Sequence, residues 1–302
     1  MLQPWLAQAV SQWRAGPSEV WPTAAIVSIG NDAGDLDSLV SSLALADWQP
    51  VGSCSDRPLW LPVAPFARQD FRLRQDACLL FSHIGWDFDD LGAPAHLMHL
   101  DEAEQAAADH WRNAGGLGLA LVDHNSVVKG VRSIFGERVV TVIDHHNDEQ
   151  RHLAPVTGSD ALGAMLAVTL PIRTIEPAVG STCSILAELM DRVGGSEAGG
   201  GLRMRSTELC VLLLSAVAVD TRGLDPALLG EKYCAADVRA AQKLYLALGA
   251  AVPRVLPPVG RAGAEAYELV LEALLALRKV ELPSAAQVML ATVTTHCLPL
   301  PL

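Results

Sequence analysis

A chain of 302 residues, half of them hydrophobic and 19% charged, can build one large domain or two ordinary ones and is too apolar for wholesale disorder. Its formal net charge of −12 excludes a protein that grips duplex nucleic acid mainly through phosphates, but not one that holds a small anion through metal ions. The six cysteines, Cys54, Cys78, Cys183, Cys210, Cys234 and Cys297, are scattered without a CxxC pair, which argues against a zinc ribbon or a disulfide framework and for reduced thiols in a cytoplasmic protein.

The opening stretch MLQPWLAQAVSQWRAGPSEVWP has no basic segment followed by a long apolar one, so no signal peptide is expected, and its apolar spacing predicts a short amphipathic helix. AAIVSIG (24–30) predicts a fully buried strand followed by a turn, and LDSLVSSLALADW a helix with Leu36, Leu39, Val40, Leu43 and Leu45 on one broad face. ACLLFSHIG, LGLALVDHN and RVVTVIDHH are further apolar runs of strand length, with helical stretches such as EAEQAAADHWRNA between them. WDFDDL (86–91) reads as a loop or helix cap, and His96, His99 and His110 as surface or core-edge residues. GSTCSILAELMDRVGG predicts a helix whose start at Ser181–Ser184 either offers N–H groups to an anion or is an ordinary cap. GGSEAGGG (194–201) reads as a flexible loop, and STELCVLLLSAVAVDTRG as a buried helix running into Asp220. Its apolar run is about half a membrane span, so no membrane crossing is expected. CAADVRAAQKLYLALGAAV and AEAYELVLEALLALRKV predict helices joined by a Pro-rich connector.

Strands alternating with helices imply an α/β fold, with a mostly parallel sheet flanked by helices over 1–228 and a smaller α-rich or α+β domain over 229–302. In such sheets ligands bind at the carboxyl ends of the strands. The first strand runs into GNDAGDLDS, with Asn31, Asp35 and Asp37. LALVDHN delivers Asp123, His124 and Asn125; VVTVIDHH delivers Asp144, His145 and His146; and the apolar helix VLLLSAVAV delivers Asp220. Taken singly, each is also what a turn, a cap or the end of a buried strand looks like. Together they gather carboxylates and imidazoles, donors that suit Mn²⁺ or Mg²⁺ better than a thiolate-preferring site.

NDAGDLDS, VDHN, VIDHH and AVAVDT, in this order, resemble the four motifs of the DHH phosphoesterase superfamily. Asn31, where family II inorganic pyrophosphatases have His, is similar to the fungal cytosolic exopolyphosphatases and the animal prune proteins; the latter typically have DHR where this chain keeps DHH. The resemblance implies a metal-dependent hydrolase of phosphoanhydride bonds, first an exopolyphosphatase, otherwise a pyrophosphatase or nucleotide phosphodiesterase, or else a non-catalytic prune-like scaffold. It implies two divalent ions, Mn²⁺ or Mg²⁺ with Co²⁺ as a further candidate. Asn31, Asp35 and Asp123 would serve the first ion, and Asp37, Asp123, His145 and Asp220 the second, with Asp123 as the bridge. Asp144 would orient an imidazole, and His146 and His124 would face substrate phosphate. Relatives close over the substrate with a second domain that supplies cationic groups. Here LRKVEL places Arg278 and Lys279 as candidates, with Val280 and Leu282 where the resembled stretch has Asp and Lys. The ending THCLPLPL reads as an abrupt stop, so a truncated second domain and weakened handling of long polyphosphate are expected, unless Arg203, Arg205, Arg278 and Lys279 together suffice.

Overall fold

The computed structural model describes residues 2–17, 24–48, 58–103, 105–114, 116–153, 173–193 and 206–248. The chain divides into two compact units, one drawn from Met1–Arg74 and Phe88–Pro177, the other from Gln75–Asp87 and Ala178–Leu302. The boundary expected at 228/229 falls inside the second unit.

The first unit is built on β1 (Ala25–Ile29), β2 (Leu59–Ala64), β3 (Met98–His99), β4 (Leu117–Val122), β5 (Val139–Asp144) and β6 (Arg173–Ile175). Among the described residues these form one sheet in the order β3-β2-β1-β4-β5-β6, every pair parallel. This is the expected α/β class. β1, β4 and β5 are buried along their whole length, as a parallel sheet covered on both faces requires, which is why their sequences are continuously apolar rather than alternating. The order runs outward in one direction from β1 and in the other from β4. Connections therefore part between these two strands, and in open α/β sheets the carboxyl ends at such a point are where ligands bind.

Helices α1 (Leu2–Ala15), α2 (Leu36–Trp48), α4 (Gln105–Ala114) and α5 (Lys129–Phe135) belong to this unit, α3 (Gln75–His83) to the other. α1 buries Leu2, Leu6, Ala9 and Trp13, one face of a helix. Trp13 stacks on Trp111 of α4 at 6.1 Å between ring centroids and meets Phe135 of α5 edge-on at 5.9 Å. The Trp111 indole N–H donates to the Trp13 carbonyl at 3.0 Å, so the buried ring is also satisfied. α2 is buried on almost every side from Leu36 to Trp48, which explains serines rather than charges on its remaining positions.

Two expectations change. ACLLFSHIG is not a strand: it lies in α3 (Gln75–His83) of the second unit, with Ala77, Leu80 and Phe81 buried at helical spacing. His99 is not at the surface but fully buried at the end of β3, between the rings of Phe66 and Phe71 at 5.7 and 5.8 Å. β2 was not legible because Pro62 interrupts its run. Among the described residues β3 pairs with Val63 and Ala64 alone, which leaves β2 an edge strand over Leu59–Pro62, where a missing N–H is tolerated.

The second unit holds α3, foreseen as an apolar run, and α6 (Thr182–Val193), α7 (Thr207–Asp220) and α8 (Ala235–Ala247), foreseen as helices. Ser206 caps α7 by accepting from the Leu209 N–H at 3.1 Å. Buried Asp237 of α8 accepts from the N–H of Gly180 at 2.9 Å and of Cys234 at 2.9 Å, so the start of α6 is already served by a carboxylate and acts as a cap. The Trp86 indole donates to Glu208, within the same unit. No described helix is long and apolar enough to cross a membrane.

Candidate metal centre

The carboxyl ends of β1, β4 and β5 lie side by side, and each delivers polar residues where its apolar run stops. After β1 the chain turns through Asn31 and Gly34 into α2, whose first turn carries Asp37, 2% exposed. Gly34 has φ +55°, and a Cβ there would meet the Phe66 ring at 2.3 Å, so the turn needs glycine twice over. The Arg74 guanidinium donates to the Gly34 carbonyl at 3.1 Å and lies over the Phe66 ring at 5.2 Å, fixing this turn from outside.

Asp123 follows β4 with φ 61°, a left-handed conformation that Asp and Asn tolerate better than other non-glycine residues. Its N–H still bonds the Ile143 carbonyl of β5 at 3.0 Å, so the strained residue is held by the sheet, and its side chain is buried beside His145. His145 Nε2 lies 3.2 Å from Asp123 Oδ1 and 3.8 Å from Asp37 Oδ2. His146 Nδ1 lies 3.6 Å from Asp123 Oδ1. Asp123, His145 and His146 each bring a ligand-capable atom to within 4.8 Å of the others.

Asp144 ends β5 fully buried and organises the turn after it. Its Oδ1 accepts from the His146 N–H at 3.0 Å and lies 2.8 Å from the His146 ring Nδ1, while Oδ2 accepts from the Asn125 amide. Burial works against its charge, but the donors from His146 and Asn125 win and hold the carboxyl below its ordinary range. The same bond raises the His146 imidazole above its ordinary value against partial burial. Asn125 also accepts from the Glu149 N–H at 2.9 Å, so one amide ties the turn after β4 to the turn after β5. His124 is different. Its Nδ1 lies 2.9 Å from the Val122 carbonyl, an acceptor, which assigns the proton to Nδ1; burial pushes its pKa down and leaves the ring neutral.

An octahedral Mg²⁺ or Mn²⁺ with bonds of about 2.1 Å sets neighbouring donors about 3 Å apart. The spacings of 3.2 and 3.8 Å around His145 Nε2 match that within small side-chain adjustments, and two buried carboxylates beside one imidazole form a hard, anionic donor set. Asp37, Asp123 and His145 therefore fit a divalent ion. Asp35 is exposed, and its Oδ1 accepts from the Ser38 N–H at 3.0 Å, as the cap of α2. Asn31 lies against Asp123, with its amide nitrogen 2.7 Å from Oδ2. Asp220 ends α7 of the second unit. Arg203, Arg205, Arg278, Lys279 and the helix expected at 264–280 lie outside the described residues. Sequence reasoning missed Ser38, whose hydroxyl donates to Asp123 Oδ2 at 2.7 Å, and the tying role of Asn125; both sit inside the quoted motifs, NDAGDLDS and VDHN.

No family model matches the chain. It is 32% identical over 152 residues to rat exopolyphosphatase PRUNE1, covering 50% of this chain and 31% of the relative. It is 28% identical over 212 residues to a Schizosaccharomyces pombe protein provisionally named an exopolyphosphatase, covering 67% of this chain and 46% of that one. The chain thus spans less than half the length of these curated relatives. Among solved structures, an exopolyphosphatase-related protein from Bacteroides fragilis aligns at 17% identity and a TM-score of 0.44, covering 82% of this chain and 57% of that one. At that score the α/β assignment rests on the sheet itself. The resemblance carried by the four motifs is matched by sequence similarity: this chain is a relative of proteins named exopolyphosphatase.

Proposed function

We propose that this chain is a divalent-metal-dependent hydrolase of phosphoanhydride bonds that releases terminal phosphate from inorganic polyphosphate. The observation that carries the reading is the convergence of Asp37, Asp123 and His145 at the carboxyl ends of adjacent parallel strands. The names of the relatives point to polyphosphate as the first substrate class. Pyrophosphate and nucleotide phosphodiesters are the next candidates.

Asp37, Asp123 and His145 would hold Mn²⁺ or Mg²⁺. When bound, such an ion neutralises phosphate oxygens and lowers the pKa of a coordinated water toward neutrality. The remaining work falls to the chain's own groups. Asp144 fixes the His146 ring through Nδ1 and favours its protonated form, so Nε2 of this half-exposed ring is suited to donate to a phosphoryl oxygen or to the departing phosphate. His124, neutral and pinned to Val122, holds the turn that carries Asp123; if substrate reaches it, its Nε2 accepts rather than donates. At a net charge of −12 the protein as a whole repels polyphosphate, so capture depends on local cations. Arg278 and Lys279 are the proposed contacts for phosphates beyond the scissile bond. The reading places the protein in a reducing cytoplasm, and Cys78, Cys183, Cys210 and Cys234 form no disulfide among the described residues.

The test is phosphate release from long-chain polyphosphate, pyrophosphate and cyclic nucleotides with Mn²⁺, Mg²⁺ or Co²⁺. Release from polyphosphate that is abolished by chelation is the expected result. No release from any substrate would overturn the proposal in favour of a non-catalytic scaffold.

A further inference from the structure

A two-ion centre needs Asp123 to bridge, with one carboxylate oxygen directed at each ion. The geometry around this carboxylate divides its two oxygens sharply. Oδ1 faces His145 Nε2 at 3.2 Å. Oδ2 accepts two short hydrogen bonds, from the Asn31 amide at 2.7 Å and from the Ser38 hydroxyl at 2.7 Å. A carboxylate oxygen has two lone pairs in its plane, and two donors at this distance use both.

The orientation of the donors is fixed by their other partners. Asn31 Oδ1 accepts from the Gly34 N–H at 3.2 Å, a group that can only donate, while Nδ2 faces a carboxylate, which when ionised can only accept. Flipping the amide would break both contacts, so the oxygen that could ligate a metal points away from Asp123. Ser38 accepts from the Asn31 N–H at 3.0 Å, which directs its own proton to Asp123. Its position is set by close backbone approach: a Cβ on Gly30 would meet Ser38 Cβ at 2.5 Å. Asp35, the other donor expected at the first ion, is engaged as the cap of α2. The residues at the second position fit a divalent ion; those at the first do not.

We propose that this protein holds a single resident divalent ion, at Asp37, Asp123 Oδ1 and His145, and that the Asn31 amide with the Ser38 hydroxyl takes the place from which Asp123 would bridge to a second. Two neutral donors then do for Oδ2 what a cation would do, satisfying a buried carboxylate oxygen without adding charge. The inference rests on the metal-dependent reading above but has its own readout.

Mn²⁺ is the probe. Bound Mn²⁺ per chain is measured by equilibrium dialysis, and the bound ion is examined by electron paramagnetic resonance. The wild-type chain is expected to bind one Mn²⁺ and to give the six-line spectrum of an isolated ion. Asn31→His removes the amide donor and supplies a ligand, so stoichiometry should double and spin coupling should broaden the spectrum. Asn31→Asp removes the same donor at nearly the same size and gives the same doubling if the histidine variant does not fold. Two coupled Mn²⁺ ions in the wild-type chain would overturn the inference, as would folded Asn31 variants that stay at one. Phosphate release is read in parallel: two ions with activity removes only this inference, whereas no bound Mn²⁺ and no activity removes the functional reading as well.

Discussion

Replacing His99 by Leu should make the first unit markedly less sensitive to acid. His99 is fully buried between Phe66 and Phe71, and burial, then the neighbouring Arg68 charge, pushes its pKa down from 6.5 to about 4, against opposing pulls from Glu102 and Asp101. The folded ring thus binds its proton less tightly than the unfolded one. Between pH 6.5 and about 4 the unfolded chain carries more protons, so stability is full above pH 6.5 and is lost as pH falls. At about 1.4 kcal/mol per pH unit, the gap is worth about 3 kcal/mol at its acid end. Urea unfolding followed by tryptophan fluorescence, which Trp13 and Trp111 report from the same unit, gives stability at a series of pH values. The wild-type curve should fall by about 3 kcal/mol more than the His99→Leu curve between pH 7.5 and 4. The difference between the curves isolates this ring from other groups that titrate there, such as His124 and His152. Curves that run parallel would refute the reasoning.

Arg68→Met should cost about 3–5 kcal/mol of first-unit stability, because it strips donors from Asp89, Glu102 and the Leu97 carbonyl while leaving the carboxylates in place; a urea titration reads it. The same variant removes a charge that holds His99 down and so narrows the gap between its folded and unfolded pKa; the stability lost through this ring between pH 6.5 and about 4 should be smaller than in the wild type, as the same titrations repeated across pH will read. Gly30→Ala places a Cβ 2.9 Å from Ser38 Cα and should destabilise by about 1–3 kcal/mol through displaced α2; weakened Mn²⁺ binding by dialysis should accompany the lower melting temperature.

The parts of the fold that carry the site were the most legible in the sequence, for a physical reason. β1, β4 and β5 are central strands buried on both faces, so Ile26 to Ile29, Leu119 to Val122 and Val139 to Ile143 are almost unbroken apolar runs, and the polar residues that end them stand out. The margins were less legible. ACLLFSHIG is too short for periodicity to separate helix from strand, and β2 was hidden by Pro62, which only an edge strand accepts. His99 was misplaced because its burial depends on Phe66 and Phe71 arriving from elsewhere in the chain. Within the site, residue types named the metal chemistry, but what Asn31 does with its amide depends on the positions of Ser38, Gly34 and Asp123, which are fixed only by the packing of α2 against β1 and β4.

The measurement that bears most directly on the functional account is the initial rate of phosphate release from long-chain polyphosphate across a Mn²⁺ titration, for the wild-type chain beside Asp123→Asn. Asparagine keeps the shape of the side chain and tolerates the left-handed backbone at φ 61°, so the variant removes the charge with little strain. The account predicts a rate that requires Mn²⁺ in the wild type and falls by more than about 100-fold in the variant, beyond what loss of an outer partner of a ligand costs. A variant that works at the wild-type rate, or a wild-type rate indifferent to divalent metal, would contradict it.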